Sequence, residues 1–529
     1  MPTRFAIGFR RGRRGIIVPD KKINSQVKNS AEETGADSVR WRRRFSILLM
    51  LVLIPVALAA AVGSRFLVDS PVTYDEIEEH FKYGSTGGER VSGFPFWIWQ
   101  VLPTVCGKYL PGQGYASLGM IYEPGKVLPV GVSMRRNLGL DRVFLNCAAC
   151  HAGTVRDTPD SLPRVYAGMP AHALNLMAFE KFFFQCAGDA KFSADYIVPE
   201  IDRQAGKLSM LDRYIVYPVA IALMRERLLM LRERFAWSLK QPDWGPGRVD
   251  TFNPSKALFN FPADRLAPHE SIGTADLPSI WEQGKRKRRD DGQPMQLHWD
   301  GNNTKSEERN KNAAFGTGTT PPTIDLLAIG RLEQWLLDVM PPKYPYPIDR
   351  ALAEKGAPVY AEYCAECHGA SGQDFKGARV GHVVPIETIG TDRHRLDSFT
   401  PELAQNLGSV YAGYPWRFQG FRKTFGYANM PLDGIWLRAP YLHNGSVPSM
   451  RDLLEPSAKR PKTFCRGYDV FDQRKLGFVA DVCEEGGRRY FRFDTLVAGN
   501  GNAGHEGKAY GTEMPDDEKT ALVEYLKTF

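Results

Sequence analysis

Two short stretches of this sequence carry the same pattern: Cys147, Cys150 and His151 in LNCAACHAGT, and Cys364, Cys367 and His368 in EYCAECHGAS. With 8 Cys and 10 His among 529 residues, one such match by accident is roughly a one-in-five-hundred event, and two are not accidental. The spacing has a chemical reason. Two residues between the thiols let both sulfurs reach the two vinyl groups of one porphyrin, and the adjacent imidazole turns toward the iron as an axial ligand. A structural zinc site wants a second CxxC or a spaced His pair nearby, and neither follows. A redox dithiol needs no trailing His. The motifs therefore read as attachment sites for two covalently bound haem c groups, with His151 and His368 as iron ligands.

Haem c attachment implies export. Residues 45–62, FSILLMLVLIPVALAAAV, form an apolar run of about the length that spans a bilayer. Residues 1–44 hold twelve Lys and Arg against four Asp and Glu, a net +8 that equals the charge of the whole chain. This places a basic tail (1–44) in the cytoplasm and the bulk of the chain in the periplasm, anchored to the inner membrane by residues 45–62. The rival reading is a cleaved signal segment ending in the small residues ALAAAVGS. The exported remainder has a net charge near zero, which excludes nucleic acid as a partner.

An oxidising compartment accounts for the four other cysteines. Cys465 and Cys483 flank one short segment and suit a disulfide, whereas Cys106 and Cys186 are open between pairing and staying free. After the anchor and an extension (63–140) the chain divides at the Pro-rich MPPKYPYPID into a first haem domain (141–340) and a second (351–529), with 341–350 as linker. The expected architecture is mainly α: two cytochrome c-type haem domains with long insertions, preceded by one transmembrane helix. In the second domain Leu352, Gly356, Val359, Tyr360 and Tyr363 share a helical face leading into the haem-binding turn, and Leu522, Tyr525, Leu526 and Phe529 form the stripe of a terminal helix. Such a domain closes by crossing these two helices. The segment YIVYPVAIALMRERLLMLRERF reads as a core or surface-packing helix. The basic run Lys285–Arg289 reads as a solvated loop, with docking of an acidic redox partner as the alternative.

Two haems do not by themselves define an activity. An iron ligated on both sides passes electrons, and one with an open side binds small molecules. His505, in a Gly- and Asn-rich loop before the terminal helix, and His443, in APYLHNGS, are the candidates for sixth ligand of the second haem. His172, about 20 residues past the first motif, is a candidate to close the first.

In order, CAACH, LHWDGNN, the second CxxCH, APYLHNGS and the loop-then-helix C-terminus resemble the dihaem bacterial cytochrome c peroxidases and MauG, over about residues 141–529. With EEHFKYGS and FPFWIWQVLP upstream, the chain looks closest to the rubber-oxygenase branch. The resemblance implies that Trp299, ahead of Asp300 and Gly301, relays electrons between the haems. It implies that His443, in the His-x-Gly loop, lies near the haems without ligating. His505 stands six residues before Gly511, where the peroxidases carry Met, and this departure matches the rubber-oxygenase branch, whose second haem is held by two His. The peroxidases place a catalytic glutamate downstream of the tryptophan. Residues 311–330 contain none and offer Phe315, which resembles the phenylalanine that the rubber oxygenase sets over its open iron. His298, beside Trp299, cuts the other way, because its imidazole could supply a proton there or ligate the iron.

The expected function is that of a haem-dependent oxidoreductase, with peroxide or dioxygen bound at the first haem and electrons transferred by the second. The alternative is a pure electron-transfer cytochrome with both irons six-coordinate. Either exchanges electrons with a periplasmic or membrane donor or acceptor. Substrate and oligomeric state are not legible.

Overall fold

The computed structural model describes residues 23–289 and 291–529 and divides into two units, one ending at Val68 and one from Asp69 to Phe529. Within the first, the helix Ile23–Leu67 contains a stretch, Arg40–Leu67, long and apolar enough to cross a membrane. This fits the expected anchor; the basic tail before Ile23 lies outside the described residues.

The second unit is not mainly α. The chain is 43% helical and 13% strand, a mixture of helix and sheet. A four-stranded antiparallel sheet takes its strands in the order Asp69–Pro71, Val132–Asn137, Leu140–Leu145 and Phe94–Pro95. Its central hairpin turns on Leu138 and Gly139, both at positive φ (51° and 73°), the geometry that matches strand twist in a two-residue turn. Shorter two-stranded ribbons follow, including Ala152–Val155 with Arg164–Ala167, and Thr463–Arg466 with Phe491–Asp494. These strands are two to six residues long and pair across loops. A run that short shows little period-two signal, which is why sequence patterning passes over it.

The helix pair expected in the C-terminal region is present. Helix Arg350–Tyr363 crosses the terminal helix Asp516–Leu526. The approach requires glycine, since a Cβ at Gly356 would lie 2.1 Å from the carbonyl oxygen of Ala521. Tyr360, Leu522 and Leu526 join Trp436, Phe471, Val155, Met169 and Trp281 in one buried cluster. Residues on both sides of the Pro-rich segment thus share a core, and that segment packs into it. The indole of Trp436 donates to Pro342 at 2.8 Å, and Tyr346 donates to Asp157 at 2.6 Å. Main-chain bonds of Arg156 to Asp469 and Phe471 tie the chain just after the first CxxCH to the C-terminal region. The segment containing Tyr217–Phe235 is a helix with only Tyr217, Ile221 and Leu228 buried, so it packs on the surface of the unit. Both cysteine pairs are disulfides, Cys106–Cys186 and Cys465–Cys483.

Candidate haem sites

Strand Leu140–Leu145 delivers the chain directly into the first motif. Asn146 caps the short helix Cys147–His151 by accepting from Ala148 N at 3.0 Å, and its amide donates to the carbonyls of Lys82 and Gly84. Behind it a Cβ on Gly131 would lie 2.3 Å from Ala149 N, so the sheet edge presses against the motif. Cys147 and Cys150 are free, as are Cys364 and Cys367. Burial pushes the thiols of Cys147 and Cys150 up to about 11 and about 12. A working redox dithiol has the opposite shift. Among the described residues no group of three or more His, Cys, Asp or Glu is placed to hold a metal ion, so no zinc ligand set accompanies the motifs.

The two motif histidines are held alike. Nδ1 of His151 lies 2.9 Å from the carbonyl oxygen of Pro278, and Nδ1 of His368 lies 2.7 Å from that of Met430. A carbonyl only accepts, so each Nδ1 carries the proton and each Nε2 is left with its lone pair. Burial holds both imidazoles neutral by lowering their pKa, that of His151 to about 4. A neutral imidazole oriented by a main-chain acceptor is the form that ligates a metal.

Opposite His368 stands His505. Their ring centroids are 6.3 Å apart with 41° between the planes. Two imidazoles each about 2 Å from one shared metal ion have centroids about 6 Å apart, so the gap has the width of one ligated iron. The loop that brings His505 there is tightly specified. His505 has φ 48°, its N–H donates to Ile389 at 2.8 Å, and a Cβ on the preceding Gly504 would lie 2.3 Å from Gly390. Arg460 donates to the carbonyls of Asn502, Gly504 and His505. His505 Nδ1 is buried with no hydrogen-bond partner, and burial lowers its pKa to about 3. The residues fit a haem between His368 and His505. No imidazole faces His151 in this way among the described residues. His172 stacks on Phe478 at 3.9 Å, with both ring nitrogens buried and unpartnered.

Trp299 lies between the two supports. Its indole donates to the carbonyl of Asp276 at 2.8 Å, two residues before Pro278, and its own carbonyl accepts from Ala428 N at 2.8 Å, two residues before Met430. Asp276 N–H in turn donates to the carbonyl of His443 at 2.8 Å. The His443 ring stacks on Tyr427 at 4.0 Å, and its Nε2 is buried and unpartnered. Arg466 staples the His-x-Gly loop by donating to Gly445 O and to the Asp276 carboxylate. Any side chain at Gly445 would collide with that guanidinium at 2.3 Å. His298 has φ 66° and shares a hydrogen bond with Asn302; burial, aided by the charge of Arg309, holds its pKa well below the ordinary value. Phe315 sits in an aromatic group, stacked on Tyr411 at 4.4 Å with Trp416 and Phe418 at 6.0 Å. Sequence reasoning missed the carbonyls of Pro278, Met430 and Asp276, which have no side-chain signature, and the half-buried Arg309.

A family model described as RoxA-like, cytochrome c-like, matches residues 426–465, the stretch that holds Ala428, Met430, His443 and Gly445. The chain carries a cytochrome c-like domain. Such a domain implies a haem c cofactor, supports membership of the haem peroxidase-like cytochromes in general, and is consistent with a haem oxidoreductase. The chain is 28% identical over 511 residues to a protein of Sinorhizobium fredii (strain NBRC 101917 / NGR234) named Uncharacterized protein y4iJ, covering 78% of this chain and 81% of that one. It is also 28% identical over 333 residues to Uncharacterized protein y4iM of the same organism, covering 54% and 71%.

Proposed function

We propose that this is a membrane-anchored, periplasmic dihaem c-type cytochrome acting as an oxidoreductase of the peroxidase or rubber-oxygenase kind. The observation that carries the reading is the asymmetry of the two motif histidines: His368 has His505 facing it at 6.3 Å, and His151 has no such partner among the described residues. In this reading His368 and His505 would hold one haem, which would supply electron transfer. Cys147, Cys150 and His151 would hold the other, which would supply binding of peroxide or dioxygen, since no second imidazole is placed to ligate it among the described residues. The chain's own residues orient His151 through Pro278 and His368 through Met430, and Trp299 spans the two supports. In the same reading His298, a neutral imidazole, and Phe315, in an apolar group with Tyr411, Trp416 and Phe418, would serve the open side. The cysteine chemistry and the helix Arg40–Leu67 agree with a periplasmic body held at the membrane.

Carbon monoxide added to the reduced protein and cyanide to the oxidised protein test this directly. One haem should change its spectrum and the other should not. Spectra unchanged at both would establish the alternative, an electron-transfer cytochrome with two six-coordinate irons.

A further inference from the structure

Helix Ser306–Gly316 follows the loop that carries His298 and Trp299, and its middle turn is pinned on two sides. The side-chain amides of Asn310 and Gln283 bond each other at 3.0 and 3.3 Å, and Lys311 pairs with Glu333 at 2.9 Å. Glu333 belongs to helix Leu326–Asp338, whose Leu332 and Leu336 pack in one apolar cluster with Cys147, Ala148 and Ala152. The pinned turn is therefore held beside the first CxxCH, and Arg309 stands in it. Its Nε is shut off from solvent without a hydrogen-bond partner, and no carboxylate pairs with it among the described residues. Burial is what chiefly lowers the pKa of His298 and of His151, and the Arg309 charge adds to it at both. Arg309 as a whole is half-buried, and a guanidinium with one nitrogen desolvated and no counter-charge favours an anion that joins it. Guanidinium, with its planar fork of donors, suits a carboxylate or another small oxyanion.

We propose that Arg309 is an anion-binding residue of the first haem site, taking a propionate carboxylate of the haem itself or a small anion at the iron. This rests on the reading of Cys147, Cys150 and His151 as a haem site and deepens it. The test uses the full-length protein loaded with both haems, with Arg309→Met, which keeps an unbranched chain of similar length, and Arg309→Lys, which keeps the charge. If the anion sits at the iron, fluoride affinity of the oxidised protein falls about tenfold in Arg309→Met, the loss of one charge-assisted bond. It recovers in part in Arg309→Lys, and affinity for the neutral ligand carbon monoxide is unchanged. If the anion is the propionate, fluoride affinity holds while the propionate bending band in the resonance Raman spectrum moves in Arg309→Met and returns toward the parent in Arg309→Lys. The proposal is overturned if neither quantity moves in folded, haem-loaded Arg309→Met, or if fluoride and carbon monoxide affinities fall by equal factors in both variants. A parent protein that takes up no carbon monoxide, cyanide or fluoride ends the open-site reading instead, and the Raman comparison still decides the role of Arg309.

Discussion

The indole nitrogen of Trp299 donates to the main-chain oxygen of Asp276 at 2.8 Å, two residues before the carbonyl that holds His151. The main chain of the same tryptophan bonds Ala428, two residues before the carbonyl that holds His368. One residue is thereby fastened to the supports of both motif histidines, and its ring packs beside Tyr427 and Ile386.

Trp299→Phe keeps a large ring and gives up the indole bond, so the fold should lose only about 1 kcal/mol. Electron exchange between the haems should slow, measured by pulsed reduction of one and absorbance of the other. Equal rates in variant and parent would make Trp299 a packing residue alone.

His505→Met should retain both haems, because the thioether bonds do not depend on it. The reduction potential of the second haem should rise, since a thioether is a weaker donor than imidazole and favours the reduced iron. Redox titration followed at the haem absorbance reads this. An unchanged potential would move the sixth-ligand role away from His505, with His443 the next candidate.

Glu180, on helix Leu176–Gly188, has its carboxyl pushed up to about 8 by burial, with the negative charge of Asp250 adding to the effect. A group with a raised folded-state pKa leaves the folded state binding more protons than the unfolded chain. Its contribution to stability is fully present below the ordinary carboxyl range and is lost as pH climbs toward 8, with a slope of at most about 1.4 kcal/mol per pH unit. Urea midpoints should therefore fall from pH 5 to pH 9 in the parent and fall less in Glu180→Gln. Parallel declines in the two proteins would mean that Glu180 titrates normally.

The disulfides span unequal loops, 80 residues for Cys106–Cys186 and 18 for Cys465–Cys483. On chain-entropy grounds, replacing the first pair by alanines should cost about 4 kcal/mol and the second about 3. Because Cys106 and Cys186 are 1% and 0% exposed, that pair should also resist a reductant under native conditions. Thiol counting after mild reduction checks it, and early release of the 106–186 pair would contradict the burial.

What the sequence determined by itself is local chemistry. The spacing of Cys147, Cys150 and His151, and of Cys364, Cys367 and His368, is a property of five consecutive residues. The apolar run after Arg44, and the shared face of Leu352, Gly356 and Tyr360 on helix Arg350–Tyr363, are patterns of one segment. What the tertiary structure decided involves groups distant along the chain. Main-chain carbonyls orient His151 and His368 from 127 and 62 residues away, and a carbonyl is the same in every residue. The short strands that made the unit a mixed fold exist only because their partners lie across loops. Which histidine faces which also depended on packing: His505 meets His368 because glycines 390 and 504 let two loops touch, while His172 is drawn onto Phe478. Arg309 makes the same point, since its charge is ordinary in the sequence and becomes chemically significant only once the fold shuts its Nε away from solvent without a partner.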